Sequence, residues 1–175
     1  MAFRKKFLNR SGRVVLMLVG ALLAQPALAL VDMASAPTAP EFTHHGDAEW
    51  INSKALNLVA LRGQVVLLDF WTFDCWNCYR SFPWLRSTEA KFKVAALRVI
   101  GVHSPEFEHE KVRDNIVAKI AEFELDHPVM IDTDFSYWNA LGNHYWPSFY
   151  LIDKHGRIRG TYTGETHVED RKSVV

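Results

Sequence analysis

The sequence predicts an α/β domain, a mixed central β-sheet with helices on both faces. Two continuous apolar runs, Val65 to Trp71 and Leu97 to Val102, read as strands buried on both sides. Each leads into a stretch of helical pattern. The last part of the chain holds two strand-like runs joined by turn residues, the signature of a hairpin. Strands alternating with helices and then a hairpin give a mixed sheet flanked by helices. With 175 residues, close to half of them apolar and about a quarter charged, the chain has enough material for one compact core.

The elements follow in order. After the first strand, a helix is expected from about Trp76 to Phe92, and Pro83 inside it should kink it. Beyond the second strand, the segment from about Phe107 to Phe123 has helical spacing, with Val112, Ile116, Ile120 and Phe123 on one face. Val129 to Ile131 is a short third strand, and Tyr137 to Leu141 a short helix ended by Gly142. Ser148 to Asp153, the turn Lys154-His155-Gly156, and Arg157 to Thr163 form the hairpin.

The overall formal charge is zero, but it is unevenly placed. The first 29 residues carry Arg4, Lys5, Lys6, Arg10 and Arg13 and no acid, which leaves 15 basic against 20 acidic residues and a net charge of −5 beyond them. The basic start, the apolar run Val14 to Ala24, and Ala27 and Ala29 before a cut after Ala29 have the layout of a secretory signal peptide over residues 1–29. The alternative is an uncleaved N-terminal anchor, although the run is shorter than the roughly 20 apolar residues of a comfortable span. No cysteine lies near the cut, so a lipoprotein anchor is excluded. Residues 30–40, rich in alanine with Ser35, Pro37 and Pro40, read as a linker, and the domain is expected over 41–175. The expected location is periplasmic or otherwise exported. A negative remainder without a basic patch argues against nucleic acid.

An exported chain with two cysteines invites a structural disulfide. Cys75 and Cys78 argue against it, because a bridge over two intervening residues closes a very small loop and stabilises little. Placed where a strand turns into a helix, the pair sits on one side of the first turn. Free N–H groups and the positive helix end favour a thiolate at the first position. Cys75 is therefore the expected nucleophile and Cys78 the resolving thiol. Half of a zinc site is the competing reading, but there is no second cysteine pair and the eight histidines lack paired ligand spacing. Asp69 interrupts the apolar strand six residues before Cys75. A buried acid is costly unless used or paired, and this one would point toward the cysteines. Trp146-Pro147 stands just before the hairpin.

Asp69-Phe70-Trp71 ahead of Cys75-Trp76-Asn77-Cys78, with Pro83 and Trp146-Pro147, resembles the thioredoxin superfamily. More narrowly, Phe70 to Cys78, Gly101 to Phe107, Trp138-Asn139-Ala140 and Tyr145-Trp146-Pro147 resemble exported TlpA-like thioredoxins, and the thioredoxin domain of DipZ-type proteins among them. The likeness runs from about Glu41 to Glu165. It implies a thioredoxin fold and a cis peptide before Pro147, set against the disulfide so that backbone faces a substrate strand. It also implies Asp69 as the proton acceptor that helps Cys78 ionise. Trp76, Trp146 and Pro147 are the expected substrate contacts, and the Trp76-Asn77 pair tunes the redox potential. Relatives continue past the Gly164-Glu165 region into a full helix. Here Val168 to Val175 leaves room for about two turns, so the fold is expected to be incomplete there unless a shorter element or a partner covers the sheet, or the chain is a truncated form.

The function implied is an exported thiol–disulfide oxidoreductase, a reductase rather than an oxidase. It would need no cofactor, act on thiols and disulfides of exported proteins, and draw electrons from a membrane donor. Contact with the membrane is expected only through an uncleaved N-terminus. A peroxidase reading has Thr72 three residues before Cys75, but Leu68 stands where that motif has proline. The non-enzyme alternative is a copper or haem-pathway chaperone using Cys75, Cys78 and His103 or His144. Against it, both histidines read as surface residues at loop ends. Of the aromatic side chains near the cysteines (Trp71, Phe73, Trp76, Tyr79, Trp84, Tyr145, Trp146), most are expected in the core and a few on a docking face.

Overall fold

The computed structural model describes residues 36–165. The segment read as a signal peptide and the expected two turns over Val168 to Val175 lie outside the described residues. Six strands and three α-helices follow one another as β1 (Trp50–Ile51), β2 (Val65–Trp71), α1 (Trp76–Phe92), β3 (Leu97–His103), α2 (Arg113–Glu122), β4 (Val129–Ile131), α3 (Ser136–Ala140), β5 (Ser148–Ile152) and β6 (Ile158–Thr163). The strands form a single mixed sheet in the order β1-β4-β3-β2-β5-β6. β2, β3 and β4 are parallel, while β5, β6 and β1 are antiparallel to their neighbours. Among the described residues, no helix is long and apolar enough to cross a membrane.

The central strand explains the apolar run. Val66, Leu68 and Phe70 face one core and Leu67 and Trp71 the other, so both faces of β2 are buried. The first core lies under α3 and the N-terminal segment, with Phe42, Trp50, Tyr137 and Trp138. The second lies under α1 and α2, where Cys78, Phe82 and Leu85 meet Ile116, Ile120 and Phe123. Helices therefore cover both faces. Cys78, Phe82 and Leu85 recur at helical spacing, which is why α1 turns this stripe to the sheet.

Two expectations shift. The expected helix from about Phe107 to Phe123 divides into a 3-10 turn at Glu108–Lys111 and α2, and Val112, the N-cap between them, is 49% exposed rather than on the buried face. The domain also begins earlier than Glu41. Thr38 bridges Arg157, the Ala39 N–H donates to the Gly156 carbonyl at 2.9 Å, and the Pro37 carbonyl accepts from the Ile158 N–H at 2.9 Å. Extended Pro- and Ala-rich backbone of the expected linker is what the open edge at the hairpin turn can pair with.

Candidate active site

β2 ends at Trp71, and four residues later Cys75 caps α1 with extended backbone (φ −82°, ψ 101°). Its Sγ accepts a hydrogen bond from the Cys78 N–H at 3.1 Å, and the two cysteines form a disulfide with Cα atoms 5.2 Å apart. Cys75 is half-buried and Cys78 is 1% exposed. The cap position gives the Cys75 sulfur the N–H groups and positive end of the helix. Its neighbour on the first turn, Trp76, is exposed and stacks on Tyr79.

The approach to Cys75 is held by Glu110, which is fully buried. Its carboxylate accepts from the N–H groups of Asp74 (2.9 Å), Glu106 (2.6 Å) and Phe107 (2.8 Å). Asp74 in turn meets His109 Nε2 at 2.6 Å. In the sequence Glu110 was hidden among the acids of 106–110, and only the fold turns it inward.

Asp69 shares the cysteines' face of the sheet, since it is two residues from Leu67 and from Trp71 on the same strand. It is 1% exposed and its Oδ2 has no hydrogen-bond partner. Burial pushes its carboxyl up to about 8. The group is thus a proton holder near neutrality.

Trp146–Pro147 is a cis peptide, as the resemblance implied. The Trp146 indole donates to the Ser104 carbonyl at 3.0 Å, packs on Trp138 with ring centres 4.4 Å apart, and joins the apolar cluster of Cys75 and Cys78. Pro147 is buried, and Tyr145 beside it is exposed. The structure thus gathers Cys75, Cys78, Asp69 and Trp146 around one face, at the carboxyl ends of the parallel strands where open α/β sheets place their sites.

Asp132 fixes this end of the sheet and was not singled out from the sequence, although an acid just ahead of Ser136-Tyr137-Trp138 is a helix-start signal. Fully buried, it accepts from the N–H groups of Tyr137 (2.9 Å) and Trp138 (3.0 Å) and from Ser104 Oγ (2.9 Å). Burial pushes its carboxyl up, against the pull of those bonds. Asp132→Ala leaves two buried N–H groups unpaired and is expected to cost about 2–4 kcal/mol, measured by urea unfolding.

The two candidate ligand histidines part company. His103 is fully buried, edge-on to Trp71, with Nε2 3.4 Å from Thr72 Oγ1, so its reading as a surface residue is corrected. It ends β3, whose alternation turns it inward. Burial pulls it down to about 4, keeping it neutral, although nearby Glu110 pulls the other way. His144 is exposed. Among the described residues, the one cluster of metal-ligating side chains is His44, Asp132 and Asp134, and it includes neither cysteine.

A model of the AhpC/TSA family matches residues 36–161. Protein DipZ of Mycobacterium tuberculosis is 38% identical over 136 residues, 76% of this chain and 19% of that protein. This chain therefore spans about a fifth of the length of DipZ. The thiol-disulfide oxidoreductase YkuV of Bacillus subtilis is 28% identical over 125 residues, 71% of this chain and 82% of that one. A thiol-disulfide isomerase of Corynebacterium glutamicum superposes with a TM-score of 0.65 at 24% identity, covering 78% of this chain and 91% of that one, which shows the shared thioredoxin fold.

Proposed function

The chain belongs to the AhpC/TSA family, and from that premise we propose that it is an exported thiol–disulfide oxidoreductase that reduces disulfides of exported proteins. The observation that carries the reading is the Cys75–Cys78 disulfide at the start of α1, with Cys75 half-buried, Cys78 buried, and a buried acid, Asp69, on the same face of the sheet. The name of YkuV supports the same chemistry.

In the reductive direction the Cys75 thiolate attacks a substrate disulfide and forms a mixed disulfide, releasing one substrate thiolate. Cys78 gives its proton to the Asp69 carboxylate. The Cys78 thiolate attacks the Cys75 sulfur, the Cys75–Cys78 bond forms, and the second substrate cysteine leaves as a thiolate that takes a proton. A membrane-bound thiol donor then returns two electrons to the pair. Exposed Trp76 and half-buried Trp146 supply the side chains on which a substrate segment lies, with the buried Pro147 beneath presenting its backbone.

Direction rests on the reduction potential, where 30 mV corresponds to about 1.4 kcal/mol. Equilibration of the pair against glutathione is expected to give a value more reducing than the roughly −120 mV of a dedicated oxidant, together with catalysed reduction of a test disulfide protein. A potential near or above that value would reverse the proposed direction. The copper-chaperone alternative has lost His103 as a ligand, because its ring is enclosed by Trp71 and Phe73.

A further inference from the structure

Three fully buried polar atoms without hydrogen-bond partners lie beneath α1: Asp69 Oδ2, Trp71 Nε1 and His127 Nε2. Buried polar groups are nearly always paired, so three together on one face of a small sheet ask for a common partner. The strand register shows that they are neighbours. Phe149, Asp69, Gly101 and Val129 form one row across β5, β2, β3 and β4. Gly101 has no side chain, so the rings of Trp71 and His127 and a Val129 methyl close over its place beside Asp69. A Cβ there would lie 2.9 Å from Trp71 Nε1 and 3.3 Å from His127 Nε2, so both nitrogens reach over the glycine. The backbones of Asp69 and Gly101 are paired neighbours on β2 and β3, one strand spacing of about 4.8 Å apart, and a water bridges polar groups at such separations.

The other side of His127 leads outward. Its Nδ1 is 3.6 Å from Glu89 Oε2, and Glu89 is 34% exposed on α1. Glu89 is on the same helical stripe as Cys78, Phe82 and Leu85, about three turns beyond Cys78. The neighbouring His127 ring holds its carboxyl below the usual range, with Arg98 and Lys93 adding to this against the effect of burial. An ionised Glu89 favours the tautomer with Nδ1–H facing it, which leaves Nε2 as an acceptor over Gly101.

We propose that His127 and Glu89 are the proton exit for Asp69, connected to it by one water held over Gly101 by Trp71 Nε1. The inference rests on the oxidoreductase reading, in which Asp69 takes the Cys78 proton while a docked substrate covers the carboxyl ends of the strands. The proton then leaves at the opposite end of α1. It passes from the Asp69 carboxyl to the water and on to His127 Nε2, while the Nδ1 proton moves to Glu89 and solvent. No electron changes place in this transfer. Phe149 closes the other side of Asp69 with an apolar wall. His127 and Glu89 act here through Asp69 and are positioning residues.

The test reads proton exchange directly. Infrared spectra of the oxidised protein at pH 6 should contain a protonated-carboxyl band that is absent in Asp69→Asn, and the rate of its shift after transfer to D2O measures exit of that proton. His127→Gln and Glu89→Gln are each expected to slow this shift, and formation of the Cys75–Cys78 bond from a mixed disulfide, by about tenfold or more. Added imidazole should restore part of the lost rate in His127→Gln. Exchange as fast in both variants as in the parent protein would overturn the exit route. A merely structural role for His127 would lower the unfolding midpoint and leave the exchange rate alone, which also overturns it. Because exchange is read without turnover, it separates failure of the route from failure of the oxidoreductase reading, in which Cys75→Ser would retain activity.

Discussion

Cys75→Ser is expected to lower disulfide exchange by at least about a thousandfold, and Cys78→Ser to stop the reaction halfway. The asymmetry follows from placement. Cys75 caps α1, is reachable by a substrate sulfur and is stabilised as a thiolate by the helix end, whereas Cys78 is 1% exposed on the inner side of the same turn. A serine hydroxyl at 75 stays protonated and cannot attack. A serine at 78 leaves the first attack intact and removes only the group that resolves the mixed disulfide. Mass spectrometry should find the Cys78→Ser protein accumulating covalent substrate adducts and the Cys75→Ser protein free of them. Alkylation of the reduced parent protein at mildly acidic pH should label Cys75 first. Faster labelling of Cys78 would exchange the two roles.

Asp69→Asn is expected to raise stability above pH 8 while slowing turnover. Burial raises the carboxyl from its ordinary 3.8 to about 8 in the folded chain. Between these values the folded protein holds a proton that the unfolded chain releases, so the stability of the parent protein falls as pH rises from about 4 to 8. Above pH 8 the folded chain bears the full cost of an unpaired buried carboxylate, on the order of 5 kcal/mol. Asn cannot ionise, so the variant escapes that decline, matches the parent near pH 4 and exceeds it by that order at pH 9. Urea unfolding of both proteins at the two pH values checks the sign. In turnover, the parent's rate of mixed-disulfide resolution should climb from pH 6 to 8 as the carboxylate form grows. The Asn variant should be slower by about a hundredfold at pH 8 and nearly flat. Rates equal to the parent's across that range would leave Asp69 without a part in proton transfer.

Local pattern alone determined most of the secondary structure and the reactive pair. The Val65–Trp71 strand, the Trp76–Phe92 helix and the short Val129–Ile131 strand were legible because an apolar run or a helical stripe is a property of adjacent residues. The cysteines, the acid inside an apolar strand and the Trp146-Pro147 dipeptide were legible for the same reason, since each departs from its immediate surroundings. Tertiary structure decided whatever depends on register between distant segments. The two-residue β1 exists only because Trp50 and Ile51 pair with Met130 and Val129 across the chain. Its length carries no periodic signal of its own. The sequence suggested a surface position for His103 and a buried one for Val112, yet strand alternation turns the first inward and a helix cap leaves the second exposed. Glu110 and Asp132 look like any other acids until the fold aims backbone N–H groups at them. Gly101, Trp71 and His127 come from three separate segments. Their meeting next to Asp69 follows from the pairing of β2 with β3 and of β3 with β4, an alignment that only long-range packing sets.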